Sequence, residues 1–359
     1  MSTPEVTLTN TKIALVEGIN RTAECAHTMG PLLSKYVLPK VPPRAVLTAA
    51  ETVNIVYSSD IEDFRSVGKQ GHKNFNWRRP RFVAEYDNQL TCILPPGQDY
   101  THHYVELLKT AAQFYESELD FARPLLTTQE GLNFMRSLVR EDLGSFDAVV
   151  LGYVEHLFVE GEVSWDVRRG VGYRTFDLNS FRILLIGFEL SYWGDIGGQL
   201  VQVLAERGIT DWVIYVGKLG ALHADVVPNR TIATGSVSIV EGSEVSWVSR
   251  LIPEVASDDA GITVLTGQVH ATEPSTLDET VEWLRRNSAR ASLVDPEIGR
   301  MAAAARDAGI TFDYLHVVSD NLSGGYEHGL FDEHFGEIKA SRGRCLQLIE
   351  RILVRSFQG

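Results

Sequence analysis

From residue 146 onward, short apolar runs of strand length alternate with stretches of helical periodicity. The runs are DAVVLG (147–152), FRILLIG (181–187), DWVIYVG (211–217), NRTIATG (229–235), ITVLTG (262–267) and FDYLHVVSD (312–320). Uninterrupted apolar runs of this length fit strands buried on both faces, and their alternation with helices predicts a largely parallel sheet covered by helices. Most runs end in Gly, which lets the chain turn sharply or approach a ligand where a strand gives way to a loop. In open α/β sheets ligands sit beyond the carboxyl ends of the strands, so the candidate site is sought there.

Two intervening helices are readable. IGGQLVQVLAERGI (196–209) puts Ile196, Leu200, Val203 and Leu204 on one stripe and stops at Gly208. PEIGRMAAAARDAGI (296–310) opens with Pro296 at a first-turn position and closes at Gly309, the usual order of the two residues around a helix. That start falls beside Glu297.

Residues 1–145 read differently. Helical periodicity runs through VELLKTAAQFYESELDFARPLL (105–126) and QEGLNFMRSLVREDLG (129–144), around a centre rich in Pro, Asn and aromatics. The expectation is a mainly helical N-terminal extension, 1–145, before an α/β domain, 146–359. Within it GHKNFNWRRPRF (71–82) mixes Lys73, Arg78, Arg79 and Arg81 with Phe75 and Trp77, and reads as an exposed loop or a subunit contact.

Composition narrows the function classes. The 359 residues are 44% hydrophobic and 22% charged, the profile of a folded globular chain. A formal net charge of −14 opposes binding of polymeric nucleic acid, which needs a cationic surface. A small ligand held by a local cluster of donors remains compatible with it. Cys25, Cys92 and Cys345 are odd in number and widely spaced, which fits reduced thiols and a cytoplasmic setting. No run of about 18 apolar residues and no leader pattern occurs, so no membrane partner is expected. GxxxxGK[ST], GxSxG and HExxH are absent. His102 and His103, or His328 and His334, lack the carboxylate or thiolate companions of a metal site. Arg168 and Arg169 read as solvent-facing.

The stretch SLVDPEIGRMAAAARDAGITFDYLHVVSDNL (292–322) holds an acid-rich turn opening a small-residue helix, then a strand ending in Ser-Asp. Upstream, DWVIYVGKLGALHADVVPNRTIATGSV (211–237) combines a strand, a VGxxGAL turn and an IAT strand. Together these blocks resemble the nucleoside phosphorylase/nucleosidase superfamily, which includes purine nucleoside phosphorylase, uridine phosphorylase and methylthioadenosine/S-adenosylhomocysteine nucleosidase. The resemblance spans roughly residues 146–355. It implies a three-layer α/β/α domain with a central mixed sheet, a homo-oligomer, and cleavage of the N-glycosidic bond of a purine-type or modified nucleoside without organic cofactor or metal, phosphate being a possible co-substrate.

Chemistry gives the matching residues their expected roles. Breaking the bond leaves positive charge on the ribose and electrons on the base, so a positioned acid must protonate the base. The resemblance implies Asp320 for that role, with Ser319 beside it; the alternative is a turn cap. A second carboxylate should hold the ribose hydroxyls, and Glu297 matches the family's ribose-binding Glu, or else is an acid favoured by a helix N-terminus. Pro296 stands where the family commonly has Met. Asp295 reads as a helix cap. Gly220 allows close approach to the base, and His270, in the loop HATEPST (270–276), is a candidate sugar contact. That loop lacks the aromatic that relatives stack on the base; Tyr192, Trp193 or a residue of the extension could replace it.

The nucleophile site departs from the family. Where hexameric phosphorylases place an Arg and a Ser or Thr for phosphate, this chain has Tyr215 and Lys218. Lys218 is either a displaced phosphate cation or a solvated turn lysine. Glu155 and His156, after the first strand, occupy the place of phosphate-binding or water-positioning groups and could activate water. GFELSYWGD (187–195) keeps only Gly187 and Gly194 of a region usually richer in Gly, and Glu189 disfavours an anion there. Hydrolysis is therefore favoured over phosphorolysis. The rival expectation is a non-catalytic nucleoside-binding or scaffold protein that kept the fold and lost the nucleophile site.

Overall fold

The computed structural model describes residues 21–67, 74–159, 164–253, 261–326 and 335–358. Lys73, His328 and His334 lie outside them.

The extension carries more sheet than the sequence pattern predicted. Short helical segments occupy Arg21–Leu47, and α1 (Gln98–Phe114) and α2 (Thr128–Leu138) are the two longer helices. Between and beside them, β1 (Thr52–Tyr57), β2 (Arg81–Ala84), β3 (Gln89–Leu94) and β4 (Asp120–Ala122) form a four-stranded sheet in the order β2-β3-β1-β4. Helices still make up most of the regular structure of the described extension, as expected, and the sheet is an addition to them. Helical periodicity carried the reading past Tyr115, but the backbone turns left-handed at Glu116 (φ 54°), a conformation that ends a helix. DFA then joins the edge of β1 as a strand.

In the second half, β5 (Ala148–Gly152), β6 (Val171–Leu178), β7 (Phe181–Phe188), β8 (Trp212–Ala221), β9 (Val269–Thr272), β10 (Leu293–Asp295) and β11 (Thr311–Asn321) are the main strands of a mixed sheet. β8 lies parallel to β5 along its first half and to β11 along its whole length, and pairs antiparallel with β10 at its carboxyl end. Alternate residues of the strands feed two cores. Val149, Leu151, Val213, Leu219 and Val318 face α3 (Asp195–Glu206) and α5 (Ile298–Ala308), with α4 (Val281–Asn287) lying between them in the chain. Val150, Ile214, Val216 and Val317 face the final helix α6 (Gly336–Ser356) through Leu346, Ile349 and Leu353. The result is the three-layer α/β/α arrangement.

The extension shares the first of these cores. Leu33, Tyr36, Leu107, Leu108, Phe134 and Met135 belong to the same apolar cluster as Leu151, Ile196 and Met301. Asp195, in the first turn of α3, accepts the Gln98 and Asp99 backbone N–H groups at the start of α1 (2.9 and 3.0 Å), and Asp99 in turn pairs with Arg300 of α5.

The basic, aromatic segment is likewise not an exposed loop. Phe75 and Arg78 are buried, and Phe75 fills a slot that Gly172 and Gly187 leave open: a Cβ at Gly187 would come 2.3 Å from its ring. Arg78 donates to Glu189 (2.9 Å), Glu62 (2.7 Å) and the Ile61 carbonyl (2.9 Å). A buried guanidinium held by two carboxylates is a structural clamp, and it neutralises the Glu189 charge that the sequence set against an anion.

Candidate functional site

The geometry converges on the carboxyl end of β8. Leu219 pairs with Val318 but Gly220 with Asp320, so Ser319 is an extra residue on β11, and such a bulge redirects the side chains that follow it. Gly220 also pairs with Val294 of β10. A Cβ at Gly220 would lie 2.6 Å from Leu322 Cδ1, 3.2 Å from Val294 Cγ1 and 3.4 Å from Asp320 Oδ2. The glycine thus lets three chain segments close around Asp320. Ser319 Oγ lies 2.6 Å from Asp320 Oδ1 and 3.2 Å from the Leu219 carbonyl oxygen. Burial pushes the Asp320 carboxyl above its ordinary pKa, against the opposing pull of the Ser319 hydroxyl and the Arg342 and Lys218 charges.

From Val294 the chain runs directly into the turn that holds Glu297. Asp295 Oδ1 accepts the Glu297 and Ile298 backbone N–H groups (3.0 and 2.9 Å), so the cap expected of Asp295 is present. The first helical residue is Ile298. Pro296 therefore sits two residues ahead of the helix rather than in its first turn, because the Asp295 cap, not the proline, sets the start. Glu297 is 7% exposed. Gly194 N–H donates to its Oε1 (3.3 Å), and Tyr215 Oη lies 3.3 Å from its Oε2. Burial, then the neighbouring Asp295, push Glu297 well above the ordinary carboxylate range.

Tyr215 is itself buried beside Tyr192, ring centroids 5.8 Å apart. Gly152, at the end of β5, packs on both tyrosines: a Cβ there would meet Tyr215 Cε2 at 2.7 Å and Tyr192 Oη at 2.9 Å. The loop bearing Glu155 and His156 thus departs from the Tyr215 side of the site. Glu155 is buried and accepts the Asn74 backbone N–H (2.6 Å), and His156 Nε2 stands 3.6 Å from its other oxygen.

His270 is not in a loop. It lies inside β9 with no exposure, Nδ1 2.9 Å from Ser238 Oγ and Nε2 3.0 Å from Asp295 Oδ1. A ring enclosed in this way has no free edge for a sugar hydroxyl, which corrects the expected sugar contact. Apolar neighbours on a short strand, not a flexible turn, explain its depth. On the other side of Asp295, His316 of β11 is equally buried, with Nε2 3.4 Å from Oδ2 and its ring 4.5 Å from that of Tyr215. Burial lowers the His316 pKa.

The extension reaches the site's rim. Trp193 stacks on His103 of α1 (4.2 Å between centroids) and donates to the Pro274 carbonyl (2.7 Å). Thr276 donates to Tyr36 Oη (2.7 Å), and Thr28 donates twice to the Glu279 carbonyl. Glu279 is 5% exposed, and burial, reinforced by the Asp320 charge, raises its pKa well above normal. His316, Glu279 and Tyr36 were not singled out in the sequence. A histidine in the middle of FDYLHVVSD was the one available signal; LDET and SKYV carry none.

No family model matches the chain. A curated protein, "Oxidoreductase cns1" of Cordyceps militaris, is 24% identical over 273 residues, 66% of this chain and 33% of that protein. The chain thus spans about a third of the length of the curated relative it matches. Among solved structures it is similar to an MTA/SAH nucleosidase from Colwellia psychrerythraea 34H in complex with adenine, at TM-score 0.44 and 14% identity, covering 59% of this chain and 96% of that one. It is also similar to a purine nucleoside phosphorylase from Toxoplasma gondii in complex with immucillin-H, at TM-score 0.46 and 13% identity, covering 62% and 95%. A uridine phosphorylase from Vibrio fischeri ES114 follows at TM-score 0.44 and 14% identity, covering 61% and 91%.

Proposed function

We propose that the protein cleaves the N-glycosidic bond of a purine-type or modified nucleoside, with Asp320 as the acid to the base and Glu297 as the ribose anchor. The observation that carries this reading is Asp320 itself: a half-buried carboxyl of raised pKa at the bulged end of β11, joined through Gly220 and Val294 to the turn that presents Glu297. As the C1′–N bond breaks, its electron pair moves to the base, which takes the proton of Asp320. Gly220 lets the chain close around the acid, and Ser319 and Lys218 act on it.

Water is the favoured nucleophile. Tyr215 replaces the cation a phosphate would need, and its neighbours are Tyr192 and Glu297; Arg78, which could have served, is spent on Glu62 and Glu189. Water adds to C1′ and loses its proton to His156, backed by Glu155. The roles fall within residues 146–359, and the small-molecule site needs neither organic cofactor nor metal. Oligomer formation and a cytoplasmic setting belong to the same reading; among the described residues no helix is long and apolar enough to cross a membrane. The oxidoreductase name belongs to the curated relative, of whose length this chain spans about a third. The chain has no G-x-G-x-x-G turn: its one close approach, Gly170-Val171-Gly172, is followed by Thr175 where the third Gly belongs.

Base release from a panel of purine nucleosides, with and without phosphate, tests the proposal. Release without phosphate, reduced roughly 10²- to 10⁴-fold in Asp320→Asn, is the expected result; an Asp320→Asn variant as active as the parent overturns it. One observation favours the second reading, a binding protein without turnover: both Glu297 oxygens already have partners inside the fold. Tight nucleoside binding with no release, unchanged in Asp320→Asn, would select it.

A further inference from the structure

Two carboxyl groups, Asp295 and Glu297, are buried two residues apart, and the groups able to carry positive charge around them are unevenly shared. Both nearby imidazoles flank Asp295, His270 from β9 at 3.0 Å and His316 from β11 at 3.4 Å. The same carboxylate accepts two backbone N–H groups of the α5 cap. These imidazole and N–H contacts favour the Asp295 anion against the cost of its burial. Glu297 has the opposite company: the Gly194 N–H from the loop after β7, the Tyr215 hydroxyl from β8, and beyond it Tyr192. Among the described residues no Lys, Arg or His is placed against it. An ionised carboxylate buried this far without a cation, and beside a second anion, is strongly disfavoured.

We propose that Glu297 is a neutral carboxylic acid in the working protein, and that Asp295, His270 and His316 are positioning residues that hold the local negative charge on Asp295 and keep it off Glu297. A neutral Glu297 presents one donor and one acceptor instead of two acceptors. The anchor would then grip a sugar by giving one hydrogen bond and taking one. The direction of the Glu297 shift agrees with this partition. The sugar-gripping part of the inference rests on the nucleoside reading; the protonation state does not.

The test is therefore made first without ligand. Difference infrared spectroscopy between the full-length protein and Glu297→Gln at pH 7 should show a protonated-carboxyl C=O band that the variant lacks. Absence of that band, with carboxylate bands lost instead, overturns the proposal. Asp295→Asn should weaken the band at pH 7 by removing the neighbouring anion, and a band of unchanged strength in a folded Asp295→Asn protein would show that Asp295 does not set the state. Should that variant not fold, the comparison with Glu297→Gln decides alone. Where nucleoside binding is measurable, Glu297→Gln should stay within about threefold of the parent affinity, since an amide also gives and accepts one bond. A hundredfold loss, about 2.7 kcal/mol, would mean the anchor works as an anion. A protein that shows the band but binds no nucleoside would retain the proton assignment and sink only the functional reading.

Discussion

In the proposed role Asp320 gives a proton to a leaving base, and its immediate neighbours pull its pKa in both directions. Burial raises its pKa, while Ser319 lowers it most among the opposing groups. Removing that hydroxyl in Ser319→Ala should therefore raise the pKa further. The acid acts only while protonated, so activity falls as pH rises through that pKa, and the basic limb of the pH–rate profile should move to higher pH in the variant. A limb that stays in place would mean that the Ser319 proton is given to the Leu219 carbonyl, its other partner at 3.2 Å. The places of Ser319 and Asp320 at the end of β11 and of Glu297 at the start of α5 were legible in the sequence because those strand and helix boundaries can be read locally. His316 and Glu279 were not. Their significance comes from Asp295 and from Asp320, partners brought near only by the sheet. His270 was visible as a residue but misplaced, because four strand residues between two loops leave a weak periodic signal.

At the scale of elements, the site depends on how closely α5 lies on the sheet. Gly299, in the first turn of that helix, donates its N–H to Thr272 Oγ1 (3.0 Å). A Cβ there would stand 2.1 Å from Thr272 Oγ1, 2.4 Å from Val240 Cγ2 and 2.6 Å from Ser238 Oγ. Replacing a helical Gly by Ala gains up to ~1 kcal/mol of propensity, whereas forcing a methyl into a filled space costs ~1–3 kcal/mol. Gly299→Ala should thus be destabilising, and it should weaken ligand binding by lifting Glu297, two residues away. A Cβ at Gly343, within α6, would meet nothing within 4 Å, so Gly343→Ala should stabilise by ~0.5–1 kcal/mol. Urea unfolding midpoints moving in opposite directions would bear out both; a stabilised Gly299→Ala would show that α5 can slide. In the second half β5, β7, β8, β11, α3 and α5 were legible because buried runs and amphipathic stripes are long there, whereas β6, β9, β10, α4 and α6 were not singled out. The four-stranded sheet of the extension was not: β4 has three residues, and the break at Glu116 is a backbone conformation with no Gly or Pro to announce it.

At the scale of the whole molecule, the interior holds many carboxyl groups that burial has made reluctant to ionise. Asp195 and Asp313 are pushed up to about 6 and Glu273 to about 7, and Asp320, Glu279 and Glu297 are raised as well. A carboxyl whose folded pKa exceeds its unfolded one stabilises the fold fully below the unfolded value, near 4, and loses that contribution as pH rises through the folded value. Between pH 6 and 8 the native state therefore holds more of these protons than the unfolded chain, and stability should fall with rising pH. The formal charge of −14 adds self-repulsion in the same direction. Buried His27, His103 and His316 have lowered pKa values, so they withdraw stability as pH drops below about 6.5 and set a limit on the acid side. The thermal midpoint should consequently be higher at pH 6 than at pH 8 and decline again under more acidic conditions. Glu273, whose carboxyl accepts the Trp283 indole N–H, titrates nearest the middle of the window. Glu273→Gln should then flatten the fall between pH 6 and 8 while leaving the acid-side decline unchanged. A midpoint that climbs steadily from pH 6 to 8 would mean that these carboxyls are ionised in the fold, and the assignment of a resting proton to Asp320 would lose its support along with them.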